Sequence, residues 1–316
     1  MTIPVFYSIS DDFTKYAAVS LDSLVKNSNP ENDYIVIFLN QDLSKEHQDQ
    51  LAALGNDHVH VKFFNIDEKL VKPIQDRKEN YIRADFFTMS IFYRLFIPDL
   101  FPEYDQAIYI YSDTVVVDDI AKLYNTELGN NLFGACTDSS IQYVDKMVKY
   151  IKDVLDLDPK KYINSGMLVL NSKAFRDEGF IDHFMNLLEK YHFDCIAPDQ
   201  DYLNEIGDGR ILHLDPRWDA MPNEDTEPLP NPGLIHYNLF FKPWHFDNVQ
   251  YQDYFWKYAK ETPFYEELHA ELDNYTDEER SEDRAKLDHM LEKEDSTVVD
   301  PNNWAHVKAK DERIKL

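Results

Sequence analysis

Glycine is scarce in this 316-residue chain, which holds only 8 of them. No Gly-x-Gly-x-x-Gly follows a strand-like run, and no glycine-rich segment ends in Lys-Ser or Lys-Thr. Loops of those kinds bring backbone N–H groups against phosphate, so their absence argues against a P-loop enzyme and a dinucleotide-dependent oxidoreductase. Cations are scarce as well: 32 Lys and Arg stand against 59 Asp and Glu, a net charge of −27. A field of that sign repels nucleic acid, and none is expected as a partner. An anionic small molecule could enter only where Lys, Arg or a metal gathers locally. The two cysteines, Cys136 and Cys195, have no motif spacing and imply no disulfide framework. No uninterrupted apolar run reaches the length of a membrane span, and the opening MTIPVFYSIS lacks a basic stretch followed by a long apolar one. A cytoplasmic protein with no transmembrane segment is therefore expected.

What is present suits a sizeable core, since 43% of residues are hydrophobic and 14% aromatic. The apolar run 3–10 reads as a strand, and 16–26 places Ala17, Val19, Leu21 and Leu24 on one helical face. A strand over 34–39, a helix opening at Ser44 and a strand over 58–64 follow. Alternation of this kind predicts an α/β fold with a mostly parallel sheet flanked by helices, whose ligands sit at the carboxyl ends of the strands. A helix over 88–100 ending at Pro98, a central strand over 107–111, a β-like run over 115–117, and strands over 132–136 and 167–170 continue the pattern. The Pro- and Asn-rich stretch 219–233 reads as a long surface loop. Beyond Thr262 acidic residues dominate at helical spacing, so the chain divides into a domain over 1–262 and an acidic helical extension over 263–316. The extension reads as a solvated, charge-laced helical pair, with oligomerisation or acceptor docking as the further roles open to it.

Three segments could carry chemistry, and each has a plain structural reading beside the chemical one. Asp113 ends a buried apolar strand at Tyr111-Ser112-Asp113, where a carboxylate is costly unless it is paired or binds a metal; alone it could be an Asx turn residue. His236 follows Leu234-Ile235, with Lys242 set between Phe241 and Pro243. An imidazole can ligate a metal and a lysine can meet phosphate, or the two are a packed histidine and a surface lysine. Asn164-Ser165-Gly166 reads as a tight turn entering a strand, and Asp199-Gln200-Asp201 as the start of a helix with Asp199 as its N-cap.

Taken together, from about Ile3 to Trp244, these segments resemble glycosyltransferase family 8, a retaining group of the GT-A fold. The carriers, in order, are Ser10-Asp11-Asp12, Tyr93-Arg94-Leu95, Tyr111-Ser112-Asp113, Asn164-Ser165-Gly166, Asp199-Gln200-Asp201 and His236 with the downstream Lys242-Pro243-Trp244. The resemblance implies transfer of a hexose (glucose, galactose or GlcNAc) from a UDP-sugar to a hydroxyl of a glycan or glycoprotein acceptor. Asp113 and His236 would hold Mn²⁺ or Mg²⁺ against the diphosphate. Arg94 and Lys242 would add positive charge, and Ser8, Asp11, Asp12 and Ser112 would help hold the nucleotide. Asn164, Asp138, Asp199 and Gln200 would line the sugar and the reaction centre, with Gln200 on the face of the oxocarbenium-like sugar.

Two departures stand out. Tyr111 replaces the first aspartate of the Asp-x-Asp motif, and Leu239 stands where the family usually has glycine, three residues after the histidine. The first makes metal dependence a question in its own right. It also opens a second reading, a nucleotide- or glycan-binding partner of another transferase that turns nothing over.

Overall fold

The computed structural model describes residues 1–67, 70, 72, 74, 90–224, 226–310 and 313–316. Strands β1 (Thr2–Ser8), β2 (Asp33–Asn40), β3 (Val59–Asn65), β4 (Ala107–Ile110), β6 (Phe133–Thr137), β7 (Ile163–Leu170) and β8 (Ile211–His213) form a seven-stranded sheet ordered β3-β2-β1-β4-β7-β6-β8. β1 pairs in parallel with β2 and β4, β2 with β3, and β6 with β8, whereas β7 runs against both β4 and β6. β4 and β7 are buried along their whole length, as a sheet covered by helices on both faces requires. Two apolar clusters lie on opposite sides of the sheet. Phe6 and Tyr109 belong to one, and their neighbours Val5, Ile108 and Ile110 to the other. This is the mostly parallel α/β architecture, flanked by helices, expected from the sequence.

A second, two-stranded ladder matters more for the site. β5 (Thr114–Val116) pairs antiparallel with β9 (Leu234–His236), with Thr114 opposite His236. The helix Thr14–Asn27 clamps β5 from below: Ser20 Oγ meets Thr114 Oγ1 at 2.8 Å, Ser23 Oγ accepts from Val116 N at 2.8 Å, and Asn27 Nδ2 donates to Val116 O at 3.0 Å. Polar residues on the inward face of that helix thus satisfy an edge that would otherwise bury unpaired backbone groups.

Several expectations need correction. Asn164-Ser165-Gly166 is no turn; it lies inside β7, whose pairing with β6 extends through a bulge as far as Ile163. Asp199 is not the N-cap of its helix, Pro198–Ile206, which is capped by Ala197; the carboxylate turns instead to Ser165. Pro98 does not end its helix, which runs Ser90–Leu100, because a proline near the end of a helix removes a single ladder bond. The first residues predicted for it, Thr88 and Met89, lie outside the described residues. The stretch 219–233 is not all surface: Asp219, Ala220 and Met221 are buried at one end and Pro232 and Gly233 at the other. Asp225 within it lies outside the described residues.

The segment beyond Thr262 is helical, as Tyr265–Asn274, Asp277–Val298 and Trp304–Lys308. Its residues enter the core of the rest of the protein. Trp304 is fully buried and stacks on Phe193 with centroids 3.6 Å apart, and Leu268 joins the cluster under β1. Lys308 Nζ pairs at 2.6 Å with Glu205, whose side chain is fully buried on the Pro198–Ile206 helix. Burial outweighs that pairing and pushes the Glu205 carboxyl up to about 8. A carboxyl raised in the fold binds its proton more tightly there than in the unfolded chain. Its contribution to stability is therefore complete below about 4.5 and is lost as pH rises through about 8. Melting temperature is expected to fall across that window, and less so in Glu205→Gln; equal slopes for the two proteins would contradict this account.

Candidate functional site

The β5–β9 ladder explains how Asp113 and His236, distant in sequence, come to face each other. Asp113 immediately precedes β5, and its carbonyl accepts from Tyr237 N at 2.9 Å. The turn out of β4 is held by Tyr111 N bonding to Gly166 O at 2.8 Å and by Thr114 Oγ1 bonding to Tyr111 O at 2.8 Å. His236 Nε2 then lies 3.5 Å from Asp113 Oδ1, and Lys242 Nζ lies 2.5 Å from Asp113 Oδ2. Lys242 also donates to the carbonyl of Tyr237, which pins the loop after β9 to the site. The histidine ring fits only because residue 166 is glycine. A Cβ there would sit 2.3 Å from His236 Cε1 and 2.7 Å from Tyr111 Cδ2. Gly166 thus serves close approach, not turn geometry.

Charge is concentrated here. Burial alone would raise the Asp113 carboxyl, but Lys242 and then His236 outweigh it and hold the group well below its usual range. Burial would likewise lower His236, and Asp113 and Asp219 together raise it to about 9. Asp219 is the residue that sequence reasoning missed. It closes a short 3-10 turn, Pro216–Asp219, and its Oδ1 lies 3.0 Å from His236 Nδ1. Burial raises its own carboxyl, and the imidazole opposes the shift. No pattern around Arg217-Trp218-Asp219 signals this, because the contact depends on where that turn falls beside β9.

Can these residues hold a divalent metal? Among the described residues no group of three or more His, Cys, Asp and Glu gathers into a metal site. His236 Nε2 is buried, makes no hydrogen bond, and faces the Asp113 carboxylate. One carboxylate and one imidazole fit a cation that takes its remaining ligands from a diphosphate and water, as Mg²⁺ commonly does. Where an aspartate was expected, the ring of Tyr111 lies 5.5 Å from that of His236 and 4.2 Å from the guanidinium of Arg94.

Beyond Tyr111 lies a second network. Arg94 is completely buried; it donates to Ile91 O at 2.7 Å and to Ser165 O, and lies 3.5 Å from Asp199 Oδ2. Ser165 Oγ donates to Asp199 Oδ2 at 2.8 Å, and Ser165 N donates to Gln200 Oε1 at 3.0 Å. Gln200 Nε2 and Asn164 Nδ2 each donate to Asp138 Oδ2 at 3.0 Å. The other oxygen of Asp138 accepts from Ser140 Oγ at 2.5 Å, and Ser140 in turn meets Asn238 Nδ2 at 3.1 Å. Asn164, Asp138, Asp199, Gln200 and Arg94 are therefore one connected set, and Asn238 links it to the loop that carries Lys242.

The nucleotide residues expected at the amino-terminal edge divide. Ser8 ends β1 and is buried, and Ser112 is buried beside Asp113. Asp11 lends Oδ1 to Ser44 N and His47 Nδ1, both at 2.8 Å, so that oxygen anchors the start of the helix Lys45–Ala52. Asp11 and Asp12 nevertheless line a cavity of about 410 Å³ with Phe13, Leu239, Lys242 and Trp244. Leu239 adopts φ +57°, the left-handed backbone that glycine favours, so the loop keeps that geometry without the glycine.

The sequence profile of glycosyl transferase family 8 matches residues 4–248. A putative glycosyltransferase of Haemophilus influenzae is 23% identical, over 71% of this chain and 64% of that protein. General stress protein A of Bacillus subtilis is 22% identical, over 80% of this chain and 91% of its own. Glycosyltransferase GlyE of Streptococcus pneumoniae is 24% identical over 76% of this chain, which spans only 57% of that relative. In fold, the protein resembles galactosyltransferase LgtC, solved with donor and acceptor sugar analogues, at a TM-score of 0.71 and 20% identity, covering 85% of this chain and 100% of LgtC. It also resembles the bifunctional WbbM, at 0.70 and 24%, covering 85% of this chain and 51% of that one.

Proposed function

Because the chain belongs to glycosyl transferase family 8, a family of sugar-transferring enzymes, we propose that it moves a hexose from a UDP-sugar to a hydroxyl of a glycan or glycoprotein acceptor, with retention at the anomeric carbon. The observation that carries this reading is the convergence of Lys242 and His236 on Asp113 in a strongly acidic protein, with Lys242 also lining the adjacent cavity and Arg94 buried on the far side of Tyr111. Cleaving a sugar–phosphate bond builds negative charge on the departing UDP, and preorganised cations stabilise it. Lys242 meets the diphosphate, and Asp113 with His236 would hold a divalent cation there. That cation, when bound, supplies further neutralisation of the phosphates. Asp11, Asp12 and Phe13 border the space for the nucleoside, and the buried Ser8 and Ser112 would contribute to holding it.

Arg94 lies on the sugar side, joined to Asp199 and through Ser165 to Gln200. Asp138 fixes the Gln200 amide, so its polarity is oriented before substrate arrives. In the transfer, the bond from the anomeric carbon to the phosphate oxygen breaks and a bond to the acceptor oxygen forms on the same face. The acceptor proton passes to the departing phosphate. No enzymatic base is needed, in keeping with an amide at position 200.

A panel of UDP-sugars, assayed for UDP release with Mn²⁺, Mg²⁺ or chelator, tests the proposal. Transfer from one hexose donor is expected. Tight UDP binding with no turnover on any donor would instead favour the non-catalytic partner, the reading that Tyr111 leaves open. Acceptor choice is expected to depend on the loop near residues 218–222 and on the acidic helices beyond Thr262. Among the described residues no helix is long and apolar enough to cross a membrane.

A further inference from the structure

Asp219 presents a problem that the transfer reaction does not by itself explain. Its side chain is fully buried, yet a buried carboxylate is costly unless something compensates it. Oδ1 meets His236 Nδ1, and Oδ2 has no hydrogen-bond partner among the described residues. The backbone around it is pinned at both ends of the contact: Ala220 N donates to Leu234 O and His236 N donates to Ala220 O, each at 2.9 Å. Among the described residues the carboxylate is therefore held against one imidazole and no other group of opposite charge.

The other sides of that ring are also defined. Gly166 lies against Cε1 and Nδ1 so closely that no Cβ could be added, and the Tyr111 ring flanks it. Nε2 is the one ring atom left facing the Asp113 carboxylate, at 3.5 Å and without a hydrogen bond. A carboxylate can only accept, so its partner nitrogen carries the proton.

We infer that Asp219 is a positioning residue, whose carboxylate fixes the proton of His236 on Nδ1 and aims Nε2 at Asp113 and the donor diphosphate. It supplies behind the imidazole the negative charge that Tyr111 withholds beside it. The inference rests on the reading of Asp113 and His236 as the holders of a divalent cation. Carboxylates that orient an imidazole in this way influence metal affinity without touching the metal.

The test is Mn²⁺ binding to the full chain in saturating UDP, followed by the electron paramagnetic resonance of free Mn²⁺. His236→Ala and Asp219→Ala are each expected to weaken binding about 10–100-fold, and Asp219→Asn, which keeps an acceptor at the same place, only about 3-fold. The double variant His236→Ala/Asp219→Ala should bind Mn²⁺ no more weakly than His236→Ala. If Asp219→Ala binds like the wild type while His236→Ala does not, the inference falls and the reading of the metal site stands. If His236→Ala itself binds normally, that reading fails first. An additive double variant, or Asp219→Asn as weak as Asp219→Ala, also overturns the assignment. Should the alanine variant not fold, the ¹⁵N shifts of His236 in the wild type with Mg²⁺ and UDP decide the matter. A protonated Nδ1 with an unprotonated Nε2 supports the inference, and the reverse overturns it.

Discussion

Replacing Asp113 with asparagine is expected to slow sugar transfer by about 10²–10³-fold at saturating donor, the scale set by removing one preorganised electrostatic group from an active site. The substitution preserves shape and removes charge. Lys242 Nζ, now 2.5 Å from Asp113 Oδ2, would lose its ionic partner, and His236 would lose the carboxylate 3.5 Å from Nε2. Lys242 would then be free to shift away from the place where the diphosphate must find it, and His236 would have no carboxylate with which to share a divalent cation. Stability should follow the same charge. The Asp113 carboxyl titrates well below its ordinary 3.8, so its contribution is present above that value and is lost as pH falls further. Asparagine removes it at neutral pH, and a thermal melt must accompany the rate measurement. A folded variant that turns over within about threefold of the wild type would remove Asp113 from the electrostatic centre.

Arg94→Ala should cost about 3–5 kcal/mol in urea unfolding, as expected when one member of a buried ion pair is removed and the other is left. The guanidinium is completely buried against the rings of Tyr109 and Tyr111, 4.4 and 4.2 Å from their centroids. It pairs with Asp199 and donates to two backbone carbonyls, of Ile91 and Ser165. Alanine would leave Asp199 without its cation and the tyrosines beside a void. Arg94→Lys is expected to recover only part of the loss, because a point charge cannot stack flat on a ring and donate in several fixed directions at once. A loss below about 1 kcal/mol for alanine would mean that water enters and solvates Asp199, and that the network around Ser165 and Gln200 is not held by this residue.

The contrast between these two residues shows what could be read from the chain alone. The order of strands and helices was legible because each element is patterned locally: buried runs such as Ala107–Ile110, the helical face of 16–26, and the Ser44 cap, which accepts from His47 N. The site was legible as a set of residue types in a family's order, including Asp113, His236, Lys242 and Arg94. Their interplay was not. Asn164-Ser165-Gly166 looked like a turn, since polar residues and glycine favour turns, yet pairing across the sheet holds it as strand.

Sequence by itself therefore determined the α/β class, the scarcity of cations, and the need to gather them locally for an anionic donor. Tertiary structure decided which of them gather, and where. Asp113 meets His236 through the register of β5 on β9, and Asp219 reaches the imidazole because a turn from another part of the chain lies alongside that ladder. The segment beyond Thr262, acidic enough to suggest a solvated appendage, instead places Trp304 in the core. These are long-range contacts, selected by the packing of whole elements. Hydrophobic periodicity reports which face of an element is buried, but not which residue of a distant element it will meet there.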